Sequence, residues 1–132
     1  MPKKVNPLLI LIMIATLVLT ACGGGGGNDD DKAKAGEELF KQTIIDTQAG
    51  CATCHSVEAG VVIVGPSMAG IAGRAGSTVS GMSAEEYLRQ SILEPDSHLV
   101  EGFPSGTMPQ VWSDVLSTDQ VDQLVAYLMT LK

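Results

Sequence analysis

The sequence predicts an all-α domain, and three observations carry that expectation. Two serine capping boxes mark helix starts: Ser83 with Glu86, and Ser117 with Gln120. Behind the second box, Val121, Leu124, Val125, Leu128 and Leu131 recur at helical spacing. No segment alternates apolar and polar residues strongly enough to predict a sheet.

Taken in order, the first helix is expected over about residues 33–48, because Gly36, Phe40 and Ile44 fall on one face. A glycine inside a helix costs about 1 kcal/mol, so Gly36 implies a compensating close approach by another helix. Residues 61–64 form an apolar run too short to classify, and residues 65–81 hold five glycines, as expected of chain wrapping closely round a flat object. The second helix starts at Ser83, buries Leu88, Ile92 and Tyr87, and stops at Pro95. The last starts at Ser117, with Tyr127 beside its apolar stripe. Such stripes are core in any small α domain and assign no cofactor by themselves.

The front of the chain reads as an address. Lys3 and Lys4 precede an apolar run over residues 8–19, which suits a signal peptide and is short for a bilayer span of about 20 residues. It ends in Leu19-Thr20-Ala21-Cys22, which resembles the lipobox of bacterial lipoproteins. Small residues admit the peptidase, and the Cys22 thiol takes the lipid, whose chains bury about 0.8 kcal/mol per methylene. The weaker readings are a plain secretory signal with a chance cysteine, or an uncleaved anchor helix. Gly23 carries no inner-membrane retention cue of the Asp type. Gly23 to Gly27 and Asp29 to Asp31 then read as a solvated tether reaching about 20 Å. The expected organisation is a signal peptide over 1–21, a lipidated Cys22 and flexible tether over 22–34, and one folded domain over 35–132. The protein is therefore expected to be exported and lipid-anchored in a bacterial cell envelope.

The whole chain has 8 basic and 15 acidic side chains, a net charge of -7. Removing residues 1–21 takes away Lys3 and Lys4 and no acid, leaving 6 basic and 15 acidic, a net of -9. That balance excludes nucleic acid, whose phosphates need a basic face. It also excludes a docking surface built from a lysine ring.

The chemistry sits at Cys51-Ala52-Thr53-Cys54-His55, a C-x-x-C-H pattern that marks attachment of one covalent haem c. Two cysteines three apart on one helical turn can reach both vinyl groups of a porphyrin. The adjacent His55 is then held under the iron as proximal ligand. A thioredoxin-like dithiol would need a βαβ pattern, which the chain lacks. A closed zinc site would need two more Cys or His, and only His98 remains.

For the sixth ligand, Met1 and Met13 leave with the signal, Met129 falls in the last helix, Met82 precedes a helix start, and Met68 suits packing. Met108 is the candidate. It lies in Gly106-Thr107-Met108-Pro109, and Pro109 restrains the loop to an extended backbone. A soft thioether opposite His raises the potential by favouring ferrous iron. His98 is the runner-up, since imidazole also ligates iron.

Residues 35–132 resemble class I monohaem cytochromes c. Gly36 and Phe40 before the attachment motif look like the family's first helix, and Tyr127 matches the aromatic packed on that glycine. Tyr87 to Pro95, Gly102-Phe103 and Met108-Pro109 look closest to the cytochrome c domains fused to subunit II of haem-copper oxidases. The resemblance implies three to five helices wrapped round one haem, with the first and last helices crossing. It implies that Pro66, in Gly65-Pro66, accepts a hydrogen bond from His55. Arg74 is implied as a haem-propionate partner, against a plain surface arginine. Trp112 either donates its indole N–H to a propionate or covers the haem edge. The implied function is a single-electron carrier and not an enzyme, shuttling between respiratory or photosynthetic complexes. Its partners would be redox proteins, with a quinol-oxidising complex as donor and a terminal oxidase as acceptor. One rival is a fixed subunit of such a complex; another is a haem-based sensor with a labile or missing sixth ligand.

Overall fold

The computed structural model describes residues 28–132, so the expected signal peptide over residues 1–21, Cys22 and the glycine run lie outside the described residues. The described chain forms α1 (Asp29–Phe40), β1 (Ile44–Ile45), β2 (Gln48–Ala49), α2 (Cys51–Cys54), α3 (Ile71–Thr78), α4 (Ala84–Leu93), α5 (Trp112–Val115) and α6 (Thr118–Leu128). The architecture is that of the predicted α class. None of the described helices is long and apolar enough to cross a membrane.

Both ends of the first helix depart from expectation. The Asp29–Asp31 run, read as tether, forms the first turn of α1. The Asn28 carbonyl accepts from the Asp31 and Lys32 N–H groups at 2.8 and 3.1 Å. Three carboxylates beside the free N–H groups of a helix start suit its dipole. At the other end α1 stops at Phe40, and Ile44, expected on its buried face, is 65% exposed. Asp46 adopts a φ of 55°, which reverses the chain into a short antiparallel hairpin pairing Ile44 with Ala49 and Ile45 with Gln48. Strands of two residues are too short to show alternation in a sequence.

A second difference is α3, in the stretch expected to be glycine-rich wrapping chain. It forms because Ile71 and Ala75 bury one face against α4, and tertiary packing outweighs the propensity penalty of Gly73 and Gly76.

The two capping boxes form in full. Ser83 Oγ accepts from the Glu86 N–H at 3.2 Å, and the Glu86 carboxylate accepts from the Ser83 N–H at 2.8 Å. Ser117 and Gln120 repeat the pattern at 3.3 and 2.9 Å. The last helix ends at Leu128, so Met129 is its cap and Leu131 lies beyond it. The Leu131 carbonyl accepts from the Ala72 N–H at 3.1 Å, which ties the chain end to α3.

The core is organised by α1 crossing α6. Gly36 makes the crossing possible: a Cβ there would run into the Gln123 backbone carbonyl and come within 2.9 Å of Tyr127 Cβ. One turn on, Phe40 packs against Tyr127 with ring centroids 5.4 Å apart and planes inclined at 56°. The close approach compensates the glycine penalty, as the sequence implied. Arg89 on α4 and Asp122 on α6 add a half-exposed ion pair at 2.6 Å, worth about 0–1 kcal/mol.

Gly36→Ala is expected to force the crossing apart and destabilise the folded protein by about 1–3 kcal/mol, the usual range for overpacking. The denaturant midpoint measures this; a midpoint equal to that of the wild type would rule out backbone-to-backbone contact at the crossing.

Candidate functional site

The hairpin delivers the chain to α2, whose single turn carries Cys51 and Cys54, with His55 as its cap. From there two loops, one before α3 and one between α4 and α5, enclose a cavity of about 420 Å³. Cys51, Cys54, His55, Pro66, Arg74, Met108 and Trp112 all line it, so the structure gathers every site residue expected within the folded domain.

His55 is oriented by the chain itself. Its Nδ1–H donates to the Pro66 carbonyl at 2.8 Å, which leaves Nε2 as the free lone pair. The ring is clamped from the side as well: a Cβ on Gly65 would sit 2.8 Å from His55 Nδ1. The Gly65 N–H in turn donates to the Cys54 carbonyl at 2.9 Å, closing this loop back onto α2.

The Met108 loop is held by Asp96, which the sequence reading did not single out. Its carboxylate accepts from Ser105 Oγ at 2.7 Å, from the Gly106 N–H at 3.0 Å and from Gln110 Nε2 at 3.2 Å. Gln110 also donates to the Met108 carbonyl at 2.9 Å. The Gly106 and Ser105 bonds hold the Asp96 carboxyl below its ordinary value. An Asp directly after a helix-ending proline was the available signal; its partners lie too far along the chain to be read from sequence.

The other candidates fall as follows. Arg74 is exposed at the cavity, and its guanidinium donates to the Ala69 and Ser67 carbonyls, the latter at 2.6 Å. Those bonds use two of its five N–H groups. His98 is half-buried: its Nε2 donates to Gln90 Oε1 at 2.9 Å and its ring lies 5.9 Å from that of Tyr87. Met68 lines the cavity from the His55 loop, its N–H donating to the Ser56 carbonyl at 2.7 Å.

The walls and polar atoms fit a flat, largely apolar group with a few acceptors. Phe40, Leu88, Ile92, Leu124 and Leu128 line the cavity from the buried side. Among the described residues, two buried polar atoms lack a protein partner, Trp112 Nε1 and Ser91 Oγ, and both residues line this cavity. A buried donor left unmade costs about 1–3 kcal/mol, so the pair calls for acceptors carried by what the cavity holds. Ser91 was a second residue missed by sequence reasoning, being one hydroxyl on an otherwise apolar helix face. Competing chemistries fit less well. Burial pushes the Cys51 thiol up to about 11, opposite to the lowered value of a redox dithiol. Among the described residues no three His, Cys, Asp or Glu side chains cluster as a metal site, so the cysteine pair lacks the further ligands a closed zinc site needs.

Helices folded round a cavity that joins a C-x-x-C-H turn to a methionine loop define the class: a monohaem protein of the c type. Comparison with known proteins gives the family. Residues 33–132 match the family described as Cytochrome c, and the chain belongs to it. It is 35% identical over 96 residues to a cytochrome c2 iso-2 of Magnetospirillum molischianum, covering 66% of this chain and 99% of the relative. A cytochrome c2 iso-2 of Magnetospirillum fulvum is 34% identical over 87 residues, covering 61% and 91%. A cytochrome c2 of Rhodoplanes tepidamans is 32% identical over 89 residues, covering 62% and 91%. The protein is thus a haem c electron carrier with one covalently bound haem, an electron-transfer protein and not an enzyme.

Asp96→Ala is expected to loosen the Met108 loop in a pH-dependent way. Because the folded-state pKa of Asp96 lies below its ordinary 3.8, its contribution is present in full above that value. It is lost as pH falls through the lowered value. Wild type should therefore exceed Asp96→Ala in stability near neutral pH, and the gap should close in acid. Parallel acid-unfolding curves would contradict this role of the Asp96 carboxylate.

Proposed function

We propose that Cys51 and Cys54 would hold the haem by two thioether bonds, with His55 Nε2 and Met108 Sδ as the ligands of its iron. The observation that carries this is the His55 to Pro66 bond, which turns the free imidazole nitrogen towards a cavity also lined by Met108. Bound there, the haem supplies an iron that gains and loses one electron. The protein's own residues do the rest. His55 is held in one tautomer and orientation by the Pro66 carbonyl, and Gly65 prevents its ring from shifting. Asp96 restrains the loop that carries Met108. Trp112 Nε1 supplies a hydrogen bond to a propionate, as its buried and unpartnered N–H supports. Arg74 keeps free N–H groups at the cavity for the same acceptors. Two protein ligands leave no open position for a substrate, so transfer is outer-sphere and the protein sets potential and docking.

The carrier is exported and tethered. Residues 1–21 act as signal peptide and Cys22 takes the lipid, as the Leu19-Thr20-Ala21-Cys22 pattern supports. Tethering raises the effective concentration near membrane redox complexes without adding contact affinity. The resemblance of Tyr87 to Pro95, Gly102-Phe103 and Met108-Pro109 to oxidase-fused cytochrome c domains supports a terminal oxidase as acceptor and a quinol-oxidising complex as donor.

Protein matured with haem c assembly machinery should gain the mass of one haem that acidified organic solvent does not extract. Met108→Ala should abolish the sulfur-to-iron charge-transfer band of the oxidised spectrum; a band that persists would refute the ligand assignment. Cys22→Ala should move the protein from the membrane fraction to the soluble fraction after lysis. Unchanged partitioning would exclude the lipid anchor.

A further inference from the structure

We propose that the mouth of the haem cavity is a docking face for a redox partner that presents an apolar patch ringed by lysine and arginine. The inference rests on the carrier reading above and names the kind of partner it serves.

Eight large apolar residues are exposed among the described residues, and seven of them fall in two segments, residues 57–64 and 99–100. Val64, Leu99 and Val100 line the cavity and are also exposed at 49%, 52% and 42%, which places them at its mouth. A bound haem would cover part of these three. It would not account for Val62 and Ile63, which do not line the cavity and are 60% and 52% exposed. A cluster of apolar side chains left in water beside a redox centre marks an interaction surface. Transient redox encounters bury little area, below about 1,200 Å² in total, and a patch of this extent suits one.

Charge selects the occupant. Glu58 and Glu101 are exposed within or beside the two apolar segments, and Asp96, held ionised by its loop, lies at the same cavity. No lysine or arginine occurs over residues 42–73 or 90–131. Of the two cations between those stretches, Arg89 is paired with Asp122, and Arg74, at the cavity, keeps its charge but is outnumbered on this face by Glu58, Asp96 and Glu101. The face is therefore apolar with a negative rim. A second copy would meet like charge, and so would an anionic lipid surface. A cationic rim on the partner gives attraction at long range, and its apolar centre gives contact at short range.

The test uses the haem-loaded protein on electrodes coated with mixed monolayers, followed by voltammetry. Transfer on a methyl/ammonium surface should exceed that on a methyl/carboxylate surface by about tenfold or more, and added salt should shrink the ratio. Net charge alone would produce some preference, so two double variants of equal charge are compared. Glu58→Lys with Glu101→Lys should collapse the ratio, whereas Glu38→Lys with Glu85→Lys, on α1 and α4 away from the mouth, should largely keep it. Val62→Ser with Ile63→Ser should slow transfer on methyl/ammonium and leave hydroxyl/ammonium unchanged. Equal effects of the two charge pairs, or no response to the serine pair, would overturn the proposal. A normal haem spectrum with those outcomes removes the docking face alone; colourless protein would instead remove the carrier reading.

Discussion

The contact on which the rest depends is the approach of α1 to α6 at Gly36. Without a side chain at that point the two helices meet backbone to backbone, beside Gln123 and Tyr127. The crossing brings the two ends of the domain together and sets the back wall of the cavity. Phe40 comes from one helix and Leu124 and Leu128 from the other, and all three are buried while lining it. A domain of this size buries a modest core, and here the core is arranged round a space that a prosthetic group completes.

Against that rigid wall, two loops carry the chemistry, and each is fixed by polar bonds made within or next to itself. The His55 loop closes through the Pro66 carbonyl and the Cys54 carbonyl. The Met108 loop closes on the Asp96 carboxylate. Both devices follow one physical rule. In a mostly apolar site each polar group must be partnered, so satisfying one atom of a side chain decides where its remaining atom points. The two exceptions among the described residues, Trp112 Nε1 and Ser91 Oγ, belong to residues that line the cavity.

The relatives named as cytochromes c2 align over nearly their whole length. Acids outnumber bases 15 to 8. Of the few bases, Arg74 and Arg89 are held in bonds to neighbouring elements. A carrier must bind briefly and release, and a small apolar patch with a charged rim provides recognition without a long-lived complex.

Motifs whose parts are adjacent in the chain were legible from sequence alone: the C-x-x-C-H turn, both capping boxes, the stripe of the last helix, and the glycine that asked for a close neighbour. Each depends on interactions within a few residues, so spacing is enough. The end of α1 at Phe40, the turn at Asp46 and the helix at Ile71–Thr78 were decided by tertiary structure. There, packing against distant segments outweighs local propensity. The roles of Asp96 and Ser91 were hidden for the same reason. One takes partners 9 to 14 residues away, and the other matters only because the fold turns its hydroxyl into a buried cavity.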